Sequence, residues 1–328
     1  MKYRFAVFGV MLLSSISLFA QINVGLLEGG RLNRGAIYKE DVEEMKKRTA
    51  YFVCRDDDDV QAMQSAFEAV WTISPIKVIP FSQRDSIDLE KATIFMISGF
   101  SKTVQYVDQN GSSAGHINWT NTHMYLKFTL PEVKERRGKK KIEMKWFGRI
   151  EIYPMTPAIP ELKPDQSYDE FLYTDGAVYN WNPTFLSFYL KVFNQQLVDV
   201  KKRWLYSSTV DKVRIKQLRK DTLYIPDYVF NNNAAVKNEG EERLDMKKIL
   251  KEYHYPYVVL TSEEIAERMK SSPAGLLVMS LIISSTDQYL TVFDTKDGAM
   301  IYSKYAGLSY NLKPGNVAKL NKIIRKAK

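Results

Sequence analysis

The 328-residue chain holds one cysteine and three histidines. A lone cysteine, Cys54, cannot close an intramolecular disulfide, so stability must come from apolar cores. Neither an HExxH pattern nor a cysteine-rich pattern is present, and His116 and His123 by themselves are too few ligands for zinc. No metal site and no cofactor are expected. After the first twenty residues the longest apolar stretch, residues 275–283, is strand-sized and stops at Ser284-Ser285. That excludes a helical membrane span in the mature chain.

What is present begins with an export signal. Lys2 and Arg4 precede an apolar run over residues 5–19, and Ala20 stands before Gln21. This order of a basic, an apolar and a small residue predicts a cleavable secretory signal over residues 1–20 and a mature protein in the periplasm, at the outer membrane or outside the cell. No cysteine follows the apolar run, so a lipoprotein attachment site is missing.

Removal of Lys2 and Arg4 leaves 45 basic against 38 acidic residues. A net charge of +7 favours anionic envelope polymers or headgroups, and nucleic acid fits the charge but not the compartment. Six cations, Lys134, Arg136, Arg137, Lys139, Lys140 and Lys141, surround Gly138. They read as a solvated turn or as a patch for an anionic partner. A second basic group, Lys319, Lys322, Arg325, Lys326 and Lys328, crowds the C-terminus.

The chemistry-bearing motifs weaken once their context is considered. Gly111-Ser112-Ser113-Ala114-Gly115 has the spacing of a hydrolase nucleophile elbow, but polar loop residues flank it where a strand and a helix are required. Cys54 is followed by Asp56, Asp57, Asp58 and Asp59, whose negative field opposes a thiolate. Those four aspartates suit the first turn of a helix as capping groups, or hard-oxygen ligands for calcium or magnesium. The aromatic segment with Phe171, Tyr173, Tyr179 and Trp181 offers either a stacking surface for a glycan or partner, or packing under a loop. Catalytic residues are not assigned, and carboxylate pairs for glycoside hydrolysis are recognised by spatial separation rather than by sequence.

Periodicity predicts strands over residues 48–54, 76–81, 93–100, 123–130 and 142–153, with a helix after Asp56 to Asp59 and a short one over 86–91. A long helix capped by Asn182, with Pro183 in its first turn, carries an apolar stripe from Phe185 to Trp204. It should pack on the first sheet and also face the second half. That half predicts strands over 222–230, 257–260, 275–284, 289–294 and 299–305, helices over 245–253, 262–270 and 313–326, and a tight turn at Asp297-Gly298. The order of elements repeats, with residues 75–82 matching 256–262 in pattern. The expected fold is α+β: two tandem α/β domains, each a mixed, mainly antiparallel sheet with helices packed on one face. Residues 21–47 would be an N-terminal arm, 48–210 the first domain and 211–328 the second.

The run Tyr257-Val258-Val259-Leu260-Thr261-Ser262-Glu263-Glu264-Ile265, the strand from Gly275 and the hairpin around Asp294 and Asp297-Gly298 resemble small α/β domains of bacterial envelope proteins. These include the N-terminal domain of TolB, the curli secretion protein CsgG and the lipoprotein LpoB. The resemblance covers residues 245–325 and implies a non-catalytic module that binds or assembles with another envelope protein. The Gln after Ala20 is similar to exported proteins of Bacteroidetes. An anionic glycan or a membrane surface is a further expected partner. A polysaccharide hydrolase and a glycan-binding protein are the rival readings.

Overall fold

The computed structural model describes residues 22–25, 37–106, 117–136, 138–155, 173, 178–179, 181–203, 205–206, 208–232, 243–284, 287–307, 309 and 311–327. The signal segment, the 111–115 motif, His116, Arg137, Phe171 and Trp204 lie outside them.

Helices and sheets are mixed, as an α+β chain requires. Among the described residues of the first part are eight strands and three α-helices: β1 (Ile22–Val24), α1 (Lys39–Lys46), β2 (Thr49–Cys54), α2 (Val60–Glu68), β3 (Ile76–Pro80), β4 (Ala92–Tyr106), β5 (Ile117–Arg136), β6 (Lys139–Glu151), β7 (Tyr153–Pro154), β8 (Val178–Tyr179) and α3 (Pro183–Val198). There follow β9 (Thr209–Val210), β10 (Leu223–Pro226), α4 (Met246–Leu250), β11 (Tyr257–Leu260), α5 (Ser262–Ser271), β12 (Leu277–Ser284), β13 (Asp287–Asp294), β14 (Ala299–Gly307) and α6 (Pro314–Lys326).

Local chemistry sets the ends of these elements. Asp59 accepts from the Ala62 amide and Asn182 from the Phe185 amide, each satisfying an orphan donor of a first turn. Thr261 and Glu264 form a reciprocal capping box on α5. The residues 75–82 region runs from β3 into a 3-10 helix, Phe81–Ser86, and the short helix expected over 86–91 is a single 3-10 turn, Leu89–Lys91.

The main sheets have the same plan. The first has the order β1-β6-β5-β4-β2-β3 and the second β9-β14-β13-β12-β10-β11. In both, the second strand runs parallel to the third and fourth, while the fourth, fifth, sixth and first pair antiparallel. Even the entry is the same: the carbonyl of Pro75 accepts from Ala50 at the start of β2, and that of Pro256 from Leu223 at the start of β10. Two expected boundaries shift. Ile22–Val24 is an edge strand on β6 rather than part of an arm, because Ile22 and Val24 bury fully. Thr209–Val210 pairs with β14, so the second sheet begins before residue 211.

α3 joins the two sheets. Phe193 meets Phe95 and Phe128 edge-on at 5.5 and 5.3 Å on the first sheet. On the second, Tyr189 and Phe188 pack on Phe293, and Phe185 joins Ile265 and Val278. Each buried aromatic of this kind contributes about 2–3 kcal/mol. The expectation of helices on one face therefore fails for the second sheet. α3 and α5 cover its Val278 face, while α4 and α6 cover the other through Ile249, Val317, Leu320 and Ile324. The helix also stops earlier than its stripe predicts. Val200 adopts φ 51, and the amides of Val200 and Lys201 bond back to Leu197 and Gln196, a Schellman end without the usual glycine.

Candidate functional site: a basic ribbon and a buried polar junction

Five of the six cations, Lys134, Arg136, Lys139, Lys140 and Lys141, lie toward the end of the β5–β6 hairpin. Past Thr129, β5 pairs only with β6, from Leu130↔Lys145 to Arg136↔Lys139, and Gly138 turns the chain with φ 72. Seven residue pairs make a two-stranded ribbon about 20 Å long. Its base is fastened: Lys145 bridges Asp41 at 2.8 Å and Glu132 at 3.2 Å, and Arg48 donates to the Pro131 carbonyl at 2.7 Å.

Residues opposite one another in an antiparallel pair share a face, which sorts the ribbon into two. One face carries Pro131 with Met144, Val133 with Ile142, and Glu135 with Lys140; the other carries Glu132 with Glu143, Lys134 with Lys141, and Lys139. Val133, Ile142 and Met144 are 39, 40 and 44% exposed. The apolar face continues toward the sheet through Trp146, which stacks on Tyr125 at 5.5 Å with Lys127 over its ring. On the tip, Glu143 serves both Lys134 at 2.6 Å and Lys141 at 3.8 Å, and Glu90 lies 3.7 Å from Lys140. The bond to Glu143 raises the Lys134 pKa, so that ammonium stays charged. Lys134, Lys139, Lys140 and Lys141 are all exposed.

The aromatic segment is not gathered. Tyr173 is buried, stacks on Phe81 at 4.1 Å and receives the Ile97 amide on its hydroxyl. Tyr179 stacks on Tyr228 at 5.1 Å and accepts from Asn231. Trp181 donates to Asp58 at 2.7 Å and leans on Phe52. These three rings are committed to separate parts of the packing, so they do not form one stacking surface.

Cys54 ends β2 with its thiol buried and donating to the Ile79 carbonyl. Burial, then Asp58 and Asp56, push it up to about 12, the reverse of an activated nucleophile. Asp59 caps α2, Asp58 takes the Arg55 guanidinium and the Trp181 indole, and Asp56 accepts from the Ser82 amide.

Sequence reading missed a second cluster, where the outer face of the first sheet meets the end of the β12–β13 hairpin. Arg149 Nε lies 2.6 Å from Glu151 Oε1, and both side chains are buried. The Arg149 guanidinium also sits over the Tyr125 ring. His123 Nδ1 is 3.2 Å from the Ser284 hydroxyl, and Tyr305 donates to Asp287 at 2.8 Å. Desolvation raises the pKa of Glu151 against the opposing pull of Arg149 and Ser284. It raises Asp287 as well, against Tyr305 and Arg149. The imidazole of His123 is pushed the other way, to about 4, by burial and then by Arg149. The signal in the sequence was only the alternation Arg149-Ile150-Glu151 on a strand, which puts two charges on one face. Their enclosure between two sheets makes this a structural polar junction.

No protein-family model matches this chain, and no curated protein or solved structure matches it.

Proposed function

We propose that this chain is an exported envelope protein made of two tandem copies of one small α/β unit, and that it acts as a non-catalytic binding or assembly module. The shared strand order of the two sheets supports the tandem reading. Export rests on the segment Met1 to Ala20, and the envelope setting on that segment, the basic balance and the element order that resembles envelope domains. One observation carries the binding role: a fastened two-stranded arm holds Val133, Ile142 and Met144 half-exposed beside a group of lysines. Aliphatic side chains on an exposed ribbon gain nothing by facing water, and a fixed base keeps them presented. Another envelope protein and the lipid surface are the partners that match such an arm.

A photo-crosslinking residue at Ile142 in intact source cells tests this. The expected result is a discrete adduct from Ile142 and none from the same residue at Val213, which is also exposed but lies far along the chain in the second part. Recovery of the uncrosslinked chain from both positions would overturn the reading.

A further inference from the structure

We infer that the β5–β6 ribbon docks on an anionic phospholipid surface, lysines against the phosphates and the Val133, Ile142 and Met144 face in the interfacial layer. This rests on the binding role proposed above and names the partner of that same arm.

Charge is the first argument. Residues 131–144 contain six cations, Lys134, Arg136, Arg137, Lys139, Lys140 and Lys141, against Glu132, Glu135 and Glu143. The excess is concentrated at the end of the ribbon that points away from the sheet, where it is complementary to a layer of phosphates and to little else that requires no shaped cavity.

The second argument is the division of faces. A solvated basic turn needs no apolar side, yet here the cross-strand pairs Val133 with Ile142 and Pro131 with Met144 place aliphatic groups on one face and Lys134 with Lys141 on the other. That is the amphipathic arrangement by which an element lies in a membrane interface. Further up the same face comes Trp146, with Lys127 over its indole and the buried Tyr125 stacked behind it. Aromatic rings with cations belong at headgroup depth, above the aliphatic groups that enter the layer.

Size is the third. Three half-exposed aliphatic side chains present only a fraction of the ~800 Å² that each partner buries in a stable protein interface. Partition onto lipid is a sum of apolar burial and charge, and it has no such threshold.

The test uses the full mature chain and vesicles of phosphatidylcholine, with and without about a third phosphatidylglycerol. Binding is read by sedimentation, and depth by an environment-sensitive dye on Ile142→Cys. Cys54 stays unlabelled because its thiol is buried. Expected are co-sedimentation with the anionic vesicles only, a blue shift of the dye, and a loss of about tenfold or more in partition for Lys139→Glu/Lys140→Glu/Lys141→Glu. Val133→Asp/Met144→Asp, carried on the labelled Ile142→Cys chain, should lose the blue shift and most of the binding, while its melting temperature stays with that of the parent.

Binding that needs the lysines but leaves the dye in water, and that dextran sulfate reproduces, would overturn the interfacial placement. Absence of sedimentation with an Ile142 crosslink to a protein still present in cells would overturn the lipid assignment and leave the binding role standing. Absence of both would remove the two together.

Discussion

His123 gives the sharpest quantitative test of the junction between the sheets. Its pKa falls from the ordinary 6.5 to about 4 because burial disfavours the charged ring and the Arg149 guanidinium repels it. Between those two values the unfolded chain binds a proton that the folded chain does not. The stability tied to a neutral His123 is therefore fully present above pH 6.5 and is lost as pH falls toward 4. From pH 7 to pH 4.5 the loss works out at about 2.5 kcal/mol. Glu151 and Asp287 act with the opposite sign. Their folded pKa values are raised, so the folded state gains on acidification. The wild-type profile alone therefore mixes the two effects, and His123→Gln separates them. Glutamine can still meet the Ser284 hydroxyl but binds no proton. Urea unfolding of both proteins at pH 7 and pH 4.5, followed by tryptophan fluorescence, should show the variant gaining about 2.5 kcal/mol on the wild type over that interval. Parallel losses in the two proteins would refute the assignment of a buried, neutral imidazole.

Four other outcomes follow from the packing. Val200→Gly should relieve a left-handed β-branched residue, a cost of about 1–2 kcal/mol offset in part by glycine's unfolded freedom, and raise the melting temperature by about 2 °C in scanning calorimetry. An unchanged or lower value would speak against strain there. Arg149→Met should cost about 3–5 kcal/mol in denaturant unfolding by stranding Glu151, and adding Glu151→Leu should recover most of it; a double variant as weak as the single one would refute the buried pair. Gly148→Ala should cost about 1–3 kcal/mol in the same assay, because its Cβ would meet the Asn23 carbonyl at 2.5 Å and the Phe193 ring at 2.8 Å. Replacing residues 133–142 with Asp-Gly should leave the melting temperature within about 2 °C, since Val133, Lys134, Glu135 and residues 138–142 are exposed, and should abolish co-sedimentation with anionic vesicles.

Much of the element order was legible because its signals are local. Asp59, Asn182 and Thr261 are short-range caps, and Asp297-Gly298 supplies the positive φ its turn requires. The match of residues 75–82 with 256–262 was legible for the same reason, and it falls on β3 and β11, the two edge strands paired parallel to β2 and β10. What stayed hidden was set by distance. The end of α3 could not be read because Val200 sits where glycine normally marks a stop. The edge strand Ile22–Val24 depends on a partner more than 120 residues away. The junction of His123, Glu151, Ser284 and Asp287 is assembled from four strands of two sheets, and only the Arg149-Ile150-Glu151 alternation hints at it in the sequence. The six cations were visible, but the aliphatic face beside them was not, since it exists only in the β5–β6 register.

The matching plans of the two sheets put the ribbon in perspective. The β5–β6 connection in the first corresponds in place to the β13–β14 connection in the second. In the second sheet that connection is a four-residue turn. Asp297 takes the Arg214 guanidinium at 2.6 Å, and a Cβ on Gly298 would lie 2.8 Å from the Lys191 side chain on α3. The short turn is thus packed against α3 and tied to Arg214 of its own part of the chain. The first sheet reaches α3 through Phe95, Phe128 and Gly148, well below its own connection, so nothing in that packing calls for the strands to continue. They continue for seven pairs, with Lys134, Lys139 and Lys141 on one face and Pro131, Val133, Ile142 and Met144 on the other. Chain length that adds no core but orders two opposed faces has its use outside the fold, which is why the contact surface is placed on the ribbon rather than on the better-buried junction beneath it.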